Sequence, residues 1–381
     1  MQLHSKFNAA YDCIYFKAEK PCIYHKKSGA ICKNCIFFKK RGIKILIIKL
    51  DAMGDVLRTT SILSPLKKTF PDSSVYWITK SNSLDLLLNN PLIDKVFVYN
   101  EKSILYLSSL LFDNIFCFDI SPESVFLTSI IKSKKYSGFV WDKLNEIPVP
   151  ADDKAKYWYS LSINDDYKKN NKLSYQKIIL KTAGLNCEKK LGYPIHYYFT
   201  ENDKIFRELW EKKNKFDTQL YTIGLNTEVG NKWLTKKWKT EYFEKLIKLL
   251  KKYDKNINII VFSNNEFTAK SISKYPKTYM PLKKLTFRNY AVLLSLCDLI
   301  VTSDTLAFHL AAALKKKSVC ITGPTSKTEL ENYGKGIILE SDKKKCLCCY
   351  KIKCGLSPNC MDDIKPEYVF EIIKKMLVEK L

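Results

Sequence analysis

Short apolar runs alternate with amphipathic segments along most of the chain, beginning near residue 43. Apolar runs of four to eight residues are typical of buried strands, whereas apolar positions three or four apart indicate helices lying on a sheet. In the first half, this pattern predicts helical segments over 55–70, 83–89 and 104–112, with a further helix between the last two strands. The predicted strands are 43–50, 74–79, 95–99, 114–119 and 135–140.

The second half repeats the alternation after a polar and aromatic stretch over 148–172, which is predicted as a long loop and a helix. A helix over 175–183 follows, and Gly184 occupies the position at which glycine commonly ends a helix. A link over 186–198 then precedes the second series. Its predicted strands are 221–226, 257–262, 299–302 and 318–322, and its predicted helices are 239–252, 269–274, 288–297, 305–314 and 366–378.

Strands and helices that alternate at this spacing favour mainly parallel sheets, so the predicted fold class is α/β. A chain of 381 residues usually exceeds one hydrophobic core, and the two series predict two doubly wound domains facing a cleft. The predicted divisions are a Cys-rich N-terminal module over 1–40, domains over 41–198 and 199–365, and a C-terminal helix over 366–381.

Basic residues greatly outnumber acidic ones, with 64 Lys and Arg against 39 Asp and Glu and a formal net charge of +25. This excess favours polyanionic partners such as nucleic acid, phosphorylated small molecules or an anionic membrane surface. It fits a merely lysine-rich composition equally well, because the basic residues are spread along the chain. The N-terminus does not have the pattern of a signal peptide, and the apolar runs are too short to span a bilayer. We therefore expect a cytoplasmic protein, peripheral at most to the inner face of the inner membrane.

Thirteen cysteines in that compartment indicate thiols or metal sites rather than disulfides. Two groups of four cysteines each contain one Cys-x2-Cys pair, and four thiolates can close a tetrahedral site for structural zinc or iron. Because the other spacings are irregular, free thiols in loops are the alternative; His25 is a substitute ligand in the first group. The two groups are Cys13, Cys22, Cys32 and Cys35, and Cys346, Cys349, Cys354 and Cys360.

The segment KLDAMGDVLRTT, residues 49–60, joins the first predicted strand to the first predicted helix. Ala52 and Gly54 are small enough for a tight turn where ligands meet the ends of parallel strands. Asp55 follows at the start of the helix. Its carboxylate either caps the free N–H groups of that helix or faces a ligand, and the segment alone favours capping.

The segment SDTLAFHLAAAL, residues 303–314, follows a strand of the second series. Asp304 and Thr305 are predicted to begin a helix whose free N–H groups and positive dipole end suit a phosphate, with His309 one turn further on. The alternative is again capping, with His309 as a satisfied, partly buried side chain. Lys236 and Lys237 precede another helix, where they either neutralise a diphosphate or remain solvated surface charges.

The segment ILIIKLDAMGDVLRTTSILSPLKKTFPDSSVYWIT resembles the opening of the ADP-heptose:lipopolysaccharide heptosyltransferases, glycosyltransferase family 9. NNPLIDKVFVYN is similar to the next strand of that family, and DLIVTSDTLAFHLAAALKKKSVCITGPT to its C-terminal signature. The resemblance extends from about residue 43 to the last helix. It implies a GT-B fold, with the acceptor on the N-terminal domain and ADP-heptose on the C-terminal domain.

The resemblance also implies an enzyme that inverts the anomeric carbon without a catalytic metal or other cofactor, and the lack of a D-x-D triplet agrees with it. Asp55 matches the general base of the family and Lys236 its diphosphate lysine. Leu306 is a departure, because the family usually has glycine after Asp-Thr. The positions matched to donor binding are Asn226, Thr227, Lys236, Glu266, Asp304, Thr305 and His309.

The leading functional hypothesis is thus transfer of heptose from ADP-heptose to a lipopolysaccharide core or another surface glycan. A related transferase that uses another nucleotide sugar or a protein acceptor is the alternative among enzymes. A metal-stabilised nucleic-acid-binding protein is the alternative outside enzymes. The cysteines flank the core and no nucleic-acid-binding motif is apparent, so no nucleic-acid partner is expected.

Overall fold

Buried apolar strands form two parallel sheets. The computed structural model describes residues 9–185, 193–263, 274–281 and 285–378. Residues 45–48 are fully shielded from solvent, as expected for a strand covered on both faces of its sheet. The strands are β1 (Lys44–Ile48), β2 (Ser74–Thr79), β3 (Lys95–Val98), β4 (Leu111–Phe112), β5 (Asn114–Cys117), β6 (Lys132–Ser133), β7 (Tyr136–Asp142), β8 (Ile147–Pro150), β9 (Thr222–Asn226), β10 (Asn258–Phe262), β11 (Thr278–Tyr279), β12 (Leu299–Ser303), β13 (Lys317–Ile321) and β14 (Gly336–Leu339).

Helices connect most of these strands, and short 3₁₀ helices occupy Thr60–Ile62, Ser81–Leu86, Asn231–Lys236 and Lys327–Glu329. The α-helices are α1 (Ile23–Ser28), α2 (Met53–Thr59), α3 (Leu63–Thr69), α4 (Glu101–Ser108), α5 (Pro122–Ile130), α6 (Asp153–Ile163), α7 (Asp165–Lys169), α8 (Tyr175–Ala183), α9 (Glu201–Lys213), α10 (Thr240–Tyr253), α11 (Phe287–Ser295), α12 (Leu306–Ala313), α13 (Cys360–Asp363) and α14 (Pro366–Val378). No helix among the described residues is long and apolar enough to cross a membrane.

The first sheet has the strand order β3-β2-β1-β5-β7-β8, and only the β7–β8 pair is antiparallel. β1 lies between β2 and β5, with Ile48 opposite both Ile78 and Cys117. The strand order therefore reverses beside β1. In open α/β sheets, ligands bind in the crevice beyond the carboxyl ends of the strands at such a reversal.

The second sheet has the order β11-β10-β9-β12-β13-β14 and is parallel throughout. Its order reverses between β9 and β12, which creates a second crevice of the same kind. The prediction of an α/β fold with two doubly wound domains is confirmed. The C-terminal helix α14 packs against α10, so it adds to the second domain.

The two sheets share an apolar contact network, in which Ile47 and Trp77 of the first domain belong to the same buried cluster as Phe262 and Leu310 of the second. Polar contacts reinforce this junction at Arg288 on α11. Its guanidinium donates to the carbonyl oxygen of Asp85 in the first domain at 3.0 Å and to that of Tyr198 at 3.0 Å. It also pairs with the buried carboxylate of Asp203 on α9.

The predicted helix over 55–70 is interrupted, because Thr60–Ile62 is a 3₁₀ turn between α2 and α3. Pro65 explains the break, since it lacks an N–H group and its ring clashes with the carbonyl four residues earlier. The predicted helix over 104–112 ends at Ser108, and Leu111–Phe112 instead pairs with β6. Strand β8 lies where a loop was predicted, and helix α9 was not predicted.

The N-terminal module, described from residue 9, is organised by local contacts. Tyr24 stacks on Phe37 with ring centroids 4.1 Å apart, and Cys13 forms an isolated antiparallel bridge with Lys40. Arg41 closes the module by donating to the carbonyl oxygens of Cys13 at 3.1 Å and Phe16 at 2.5 Å.

Candidate functional site

A cleft lies where the reversal points of the two sheets face each other. The first domain contributes the turn after β1 and the start of α2; the second contributes the 3₁₀ segment Asn231–Lys236, the turn after β12 and the start of α12. Five of the predicted site residues line this one cavity although they are distant in sequence. They are Asp55, Lys236, Asp304, Thr305 and His309.

Asp55 is the third residue of α2, whose N-cap is Ala52. The alternative that Asp55 caps this helix is therefore wrong. Its carboxylate oxygen Oδ1 accepts from Arg58, at 2.9 Å from Nε and 2.7 Å from Nη2, and about a third of its side chain (34%) is exposed. Burial alone would raise the pKa of Asp55, but Arg58 and then Lys49 outweigh it and hold the pKa below its usual value. Asp55 is thus ionised at neutral pH.

Arg58 is itself fixed by the first domain. Its guanidinium lies 3.6 Å from the ring centroid of Tyr175 on α8, and the hydroxyl of Tyr175 is 3.0 Å from Thr59 Oγ1. Burial opposes the charge of Arg58, but Asp55 and Tyr175 more than compensate and raise its pKa. The planar guanidinium therefore keeps its charge and orientation beside Asp55.

A buried ion pair between Lys49 and Asp119 lies below Asp55, at the ends of β1 and β5. Asp119 Oδ2 also accepts from the backbone N–H of Leu50 at 2.6 Å and from Ser124 Oγ at 3.1 Å. Burial penalises the charged form of Lys49, but Asp119 dominates and raises its pKa. Sequence reasoning missed this pair, although a charged residue within two positions of the end of each apolar strand was a usable signal.

On the opposite wall, Lys236 Nζ lies 2.7 Å from Asp304 Oδ2 and 3.3 Å from the carbonyl oxygen of Asp304. Thr325 Oγ1 donates to the same carboxylate oxygen at 2.7 Å. Burial opposes ionisation, but Lys236 dominates and lowers the pKa of Asp304 to about 2. Asp304 therefore positions Lys236 and does not cap a helix: α12 begins at Leu306, after Thr305 as N-cap.

His309 lies one turn into α12, is 5% exposed, and places Nε2 3.9 Å from Asp304 Oδ1. Its Nδ1 is buried and has no hydrogen-bond partner among the described residues, so the alternative of a satisfied histidine is wrong. Burial, and then Arg58, lower the pKa of His309 to about 4, which makes it neutral at neutral pH. Gly54 permits this approach, because a Cβ there would lie 3.0 Å from Cδ2 of His309.

Two predicted donor-binding residues, Asn226 and Thr227, are not on the cavity wall. Asn226 is buried and its Nδ2 donates to the carbonyl oxygen of Glu228 at 2.9 Å and to Thr302 Oγ1 at 3.1 Å. Thr227 is also buried and donates from Oγ1 to the carbonyl oxygen of Phe262 at 3.2 Å. These side chains brace the strand ends behind the cavity. Glu266 lies outside the described residues, as does most of the predicted helix over 269–274.

The four cysteines of each predicted group line a common cavity, one in the N-terminal module and one in the loop over 346–360. Burial, and then the neighbouring thiols of its group, raise the pKa of Cys360 to about 11. Within the described parts of the chain, however, no three His, Cys, Asp or Glu side chains are placed to hold a metal ion. The assignment of structural zinc or iron therefore stays a prediction, and no disulfide joins the described cysteines.

The cleft combines two chemical functions on opposite walls. Asp55 is an ionised, partly exposed carboxylate that can accept a proton. Lys236, the free N–H groups at the start of α12 and the unpartnered His309 can bind an anionic group. Glu329, whose pKa is raised by burial despite Arg58, also lines the cavity. This arrangement fits group transfer from a phosphorylated donor to a hydroxyl acceptor.

Comparisons with known proteins agree with this chemistry. A family model described as glycosyltransferase family 9 (heptosyltransferase) matches residues 151–359, more than half of the chain. A lipopolysaccharide heptosyltransferase 1 of Campylobacter coli is 23% identical over 366 residues, which cover 88% of this chain and 99% of that protein.

Two solved structures have a similar fold over most of their length. A glycosyl transferase family 9 protein of Veillonella parvula has a TM-score of 0.71 and 16% identity, covering 88% of this chain and 98% of that one. The E. coli ADP-heptose lipopolysaccharide heptosyltransferase II has a TM-score of 0.64 and 17% identity, covering 89% and 99%. At these identities, the likeness supports the two-domain fold alone.

Proposed function

Because the chain belongs to glycosyltransferase family 9, we propose that it transfers heptose from ADP-heptose to a cell-surface glycan acceptor of the lipopolysaccharide core type. The chain is a glycosyltransferase, and what we propose is which sugar it transfers, to which acceptor and by which mechanism. The observation that carries it is the shared cavity, in which Asp55 of one domain faces Lys236 and His309 of the other.

Asp55 is the general base in this proposal. Its carboxylate takes the proton of the acceptor hydroxyl while that oxygen forms a bond to the anomeric carbon of the donor. The bond between the anomeric carbon and the diphosphate breaks in the same step, and ADP leaves with the bonding electron pair. A single displacement of this kind inverts the configuration of the anomeric carbon. The low pKa of Asp55 keeps the carboxylate in its proton-accepting form.

Lys236 and the start of α12 stabilise the negative charge that develops on the departing diphosphate. Asp304 holds Lys236 at 2.7 Å, so the ammonium is in place before the donor binds. The N–H groups of the first turn of α12 add partial positive charge. The fixed cation and helix N–H groups neutralise the negative charge of the diphosphate, as a divalent metal does in other transferases. We therefore propose a metal-independent reaction without a cofactor.

The buried residues Asn226 and Thr227 support donor binding indirectly. Asn226 Nδ2 lies 3.4 Å from Thr305 Oγ1, and Thr305 lines the cavity at the start of α12. These contacts fix the turn that presents the helix N-terminus. Replacing Asn226 therefore weakens donor binding through that turn, whereas Thr227 braces the end of β10 by donating to the carbonyl oxygen of Phe262.

The acceptor in this proposal is a glycan or glycolipid, bound beyond β1 and β5 in a cavity continuous with the Asp55 side of the cleft. Trp158 and Trp233 line this cavity, and aromatic rings offer apolar faces against which a sugar ring packs. We place the enzyme in the cytoplasm, in peripheral contact with the inner membrane. The free thiols of the described cysteines fit a reducing compartment.

Mass spectrometry of the products distinguishes this function from its alternatives. The purified chain is incubated with ADP-heptose and a lipopolysaccharide core acceptor that lacks terminal heptose. One added heptose, linked with inverted configuration and formed in the presence of EDTA, is expected. Transfer only from a UDP or GDP sugar, or only to a protein, would replace the proposed substrates while retaining the enzyme class. Stabilisation by oligonucleotides rather than by ADP would favour the nucleic-acid alternative.

A further inference from the structure

The N-terminal module, residues 9–41, has a much larger basic excess than the chain as a whole. It contains seven lysines and Arg41 against Asp12 and Glu19, a ratio of four to one, whereas the whole chain has 64 basic and 39 acidic residues. All seven lysines are exposed. None of them forms an ion pair with an acidic side chain in the part of the chain that the structure describes.

The same module exposes large apolar side chains to solvent. The exposed fraction is 88% for Ile36, 76% for Tyr11, 64% for Ile31 and 52% for Ile23. The aromatic rings that stabilise the module, such as Tyr24 and Phe37, are more protected. The exposed isoleucines are therefore additional to the packing that holds the module together.

Basic and apolar side chains are neighbours on this surface. Helix α1 brings Ile23 together with Lys26 and Lys27, because residues three and four positions apart share one face of a helix. Ile31 lines one surface hollow together with Lys20 and Lys33. Apolar side chains with unpaired lysines beside them thus occur in two adjoining parts of the module, and the hollow at Ile31 also contains Glu19.

We propose that this surface, the basic-apolar face of the N-terminal module, docks onto an anionic phospholipid membrane. Lysines near a membrane are attracted by acidic headgroups, and isoleucines between them can insert at the boundary with the acyl chains. A second copy of the chain is a poorer occupant, because two faces with the same basic excess repel each other. Nucleic acid would neutralise the lysines but would leave the isoleucines in water.

This inference rests on the membrane contact proposed above and names the surface that makes it, but it does not depend on the proposed donor or acceptor. Docking would hold the enzyme at the membrane surface, where a glycolipid acceptor is anchored. Vesicle binding is measured without any sugar nucleotide, so failure of the docking proposal and failure of the proposed function are separate results.

The test is co-sedimentation of the full chain with vesicles of phosphatidylcholine alone or of phosphatidylcholine mixed with phosphatidylglycerol, whose negative surface potential attracts basic segments. Binding is expected only with the anionic lipid and is expected to fall as salt rises. The triple variant Lys26→Glu, Lys27→Glu, Lys33→Glu should bind at least about a hundredfold more weakly. The double variant Ile31→Ser, Ile36→Ser should bind about tenfold or more weakly.

Matched control variants are available in the rest of the chain. Lys248→Glu, Lys252→Glu and Lys255→Glu reverse three exposed charges in and after α10. Leu144→Ser and Ile163→Ser remove apolar side chains that are 89% and 64% exposed, close to the values for Ile36 and Ile31. Both controls should bind vesicles like the unaltered chain. Every variant should have the melting temperature of the unaltered chain.

Equal loss with module and control variants would overturn the proposal, because binding would then follow overall charge. Equal binding to phosphatidylcholine alone would also overturn it. Retention of single-stranded RNA without vesicle binding would assign the face to nucleic acid. A concentration-dependent dimer that the isoleucine variant abolishes, without vesicle binding, would assign it to a second copy of the chain.

Discussion

Arg58 directs both Nε and Nη2 at the same carboxylate oxygen of Asp55, Oδ1, at 2.9 and 2.7 Å. The other oxygen, Oδ2, is left outside this fork and is available to a substrate. The pair lies within one turn of α2, so the relative position of base and cation is set by a single rigid element. The stack of Arg58 on Tyr175 then ties this turn to α8.

The first prediction separates a catalytic Asp55 from a structural one by the change Asp55→Asn. The amide keeps the size of the carboxylate and one oxygen that can still accept from Arg58, but it cannot take a proton at neutral pH. Loss of a general base typically reduces the rate by about 10²–10⁴-fold. We expect a folded variant with near-normal affinity for ADP and sugar transfer reduced at least about a hundredfold, measured by single-turnover product formation.

The same variant can also contradict the role of Asp55 as general base. Asp55 does not cap α2 in the structure, so loss of capping predicts no change in stability. Transfer at a near-normal rate by Asp55→Asn would remove Asp55 from the role of base. A loss of transfer accompanied by loss of ADP binding would instead indicate a distorted cleft. Asp72→Asn, at an exposed position between α3 and β2, is the matched control.

The second prediction concerns pH and the change Arg58→Gln. Arg58 is the principal cause of the lowered pKa of Asp55, against the opposing effect of burial. A lowered pKa keeps Asp55 ionised until the pH falls below its usual value, so the acid limb of kcat/KM should lie at low pH in the unaltered enzyme. Removing the cation raises that pKa, and the limb should move up by about one to three pH units.

The control for this shift is Arg207→Gln, which removes an exposed arginine paired with Glu211 on α9. Its pH profile should coincide with that of the unaltered enzyme. An unmoved acid limb in Arg58→Gln, at whatever activity remains, would show that Arg58 does not set the ionisation of the base.

The sequence predicts those parts of the site that follow directly from a strand. Asp55 lies in the first turn of the helix after β1 and Asp304 directly follows β12, and parallel strands bring such positions to one edge of each sheet. Gly184 was predicted to end α8, and its φ of 66° is the left-handed conformation that glycine adopts easily. These features depend on the local pattern of apolar and polar positions, which can be recognised in a single sequence.

The contacts that tune the site are not local and could not be predicted in this way. Arg58 and Tyr175 meet only because α2 packs on α8, and the pattern of apolar positions does not specify which side chains will touch. Asn226 was placed correctly at the end of β9, but side chains alternate between the two faces of a strand. Its side chain is buried and donates to Thr302 on the neighbouring strand, so it does not line the cavity directly.

The third prediction is that Lys236→Met weakens donor binding. Lys236 lies beside the start of α12, with Nζ 2.7 Å from Asp304 Oδ2, and methionine retains most of its length without the charge. A lost charge-assisted contact to a phosphate costs about 1.5–3 kcal/mol, or roughly ten- to a hundredfold in affinity. Calorimetric titration with ADP should show this loss of affinity.

The control is Lys237→Met, which replaces an adjacent exposed lysine. This variant should bind ADP normally. Equal effects of the two changes on ADP affinity would contradict a specific role for Lys236.

The last prediction tests the junction between the domains by the change Arg288→Gln. The side chain of Arg288 is 13% exposed and that of Asp203 only 4%, so the change leaves a buried carboxylate without its partner. Breaking a buried ion pair in this way costs about 3–5 kcal/mol, whereas loss of the exposed Arg207–Glu211 pair costs about 0–1 kcal/mol.

The loss should depend on pH. Burial opposes ionisation of Asp203, but Arg288 lowers the pKa of Asp203. The contribution of the ion pair to the free energy of unfolding is therefore present at neutral pH and is lost on acidification below the usual carboxylate range. Urea unfolding at pH 7 should therefore show a large loss for Arg288→Gln and little for Arg207→Gln, and the difference between Arg288→Gln and the unaltered chain should shrink at low pH. Equal stability of the two variants at pH 7 would mean that the buried Arg288–Asp203 pair contributes no more to stability than an exposed pair.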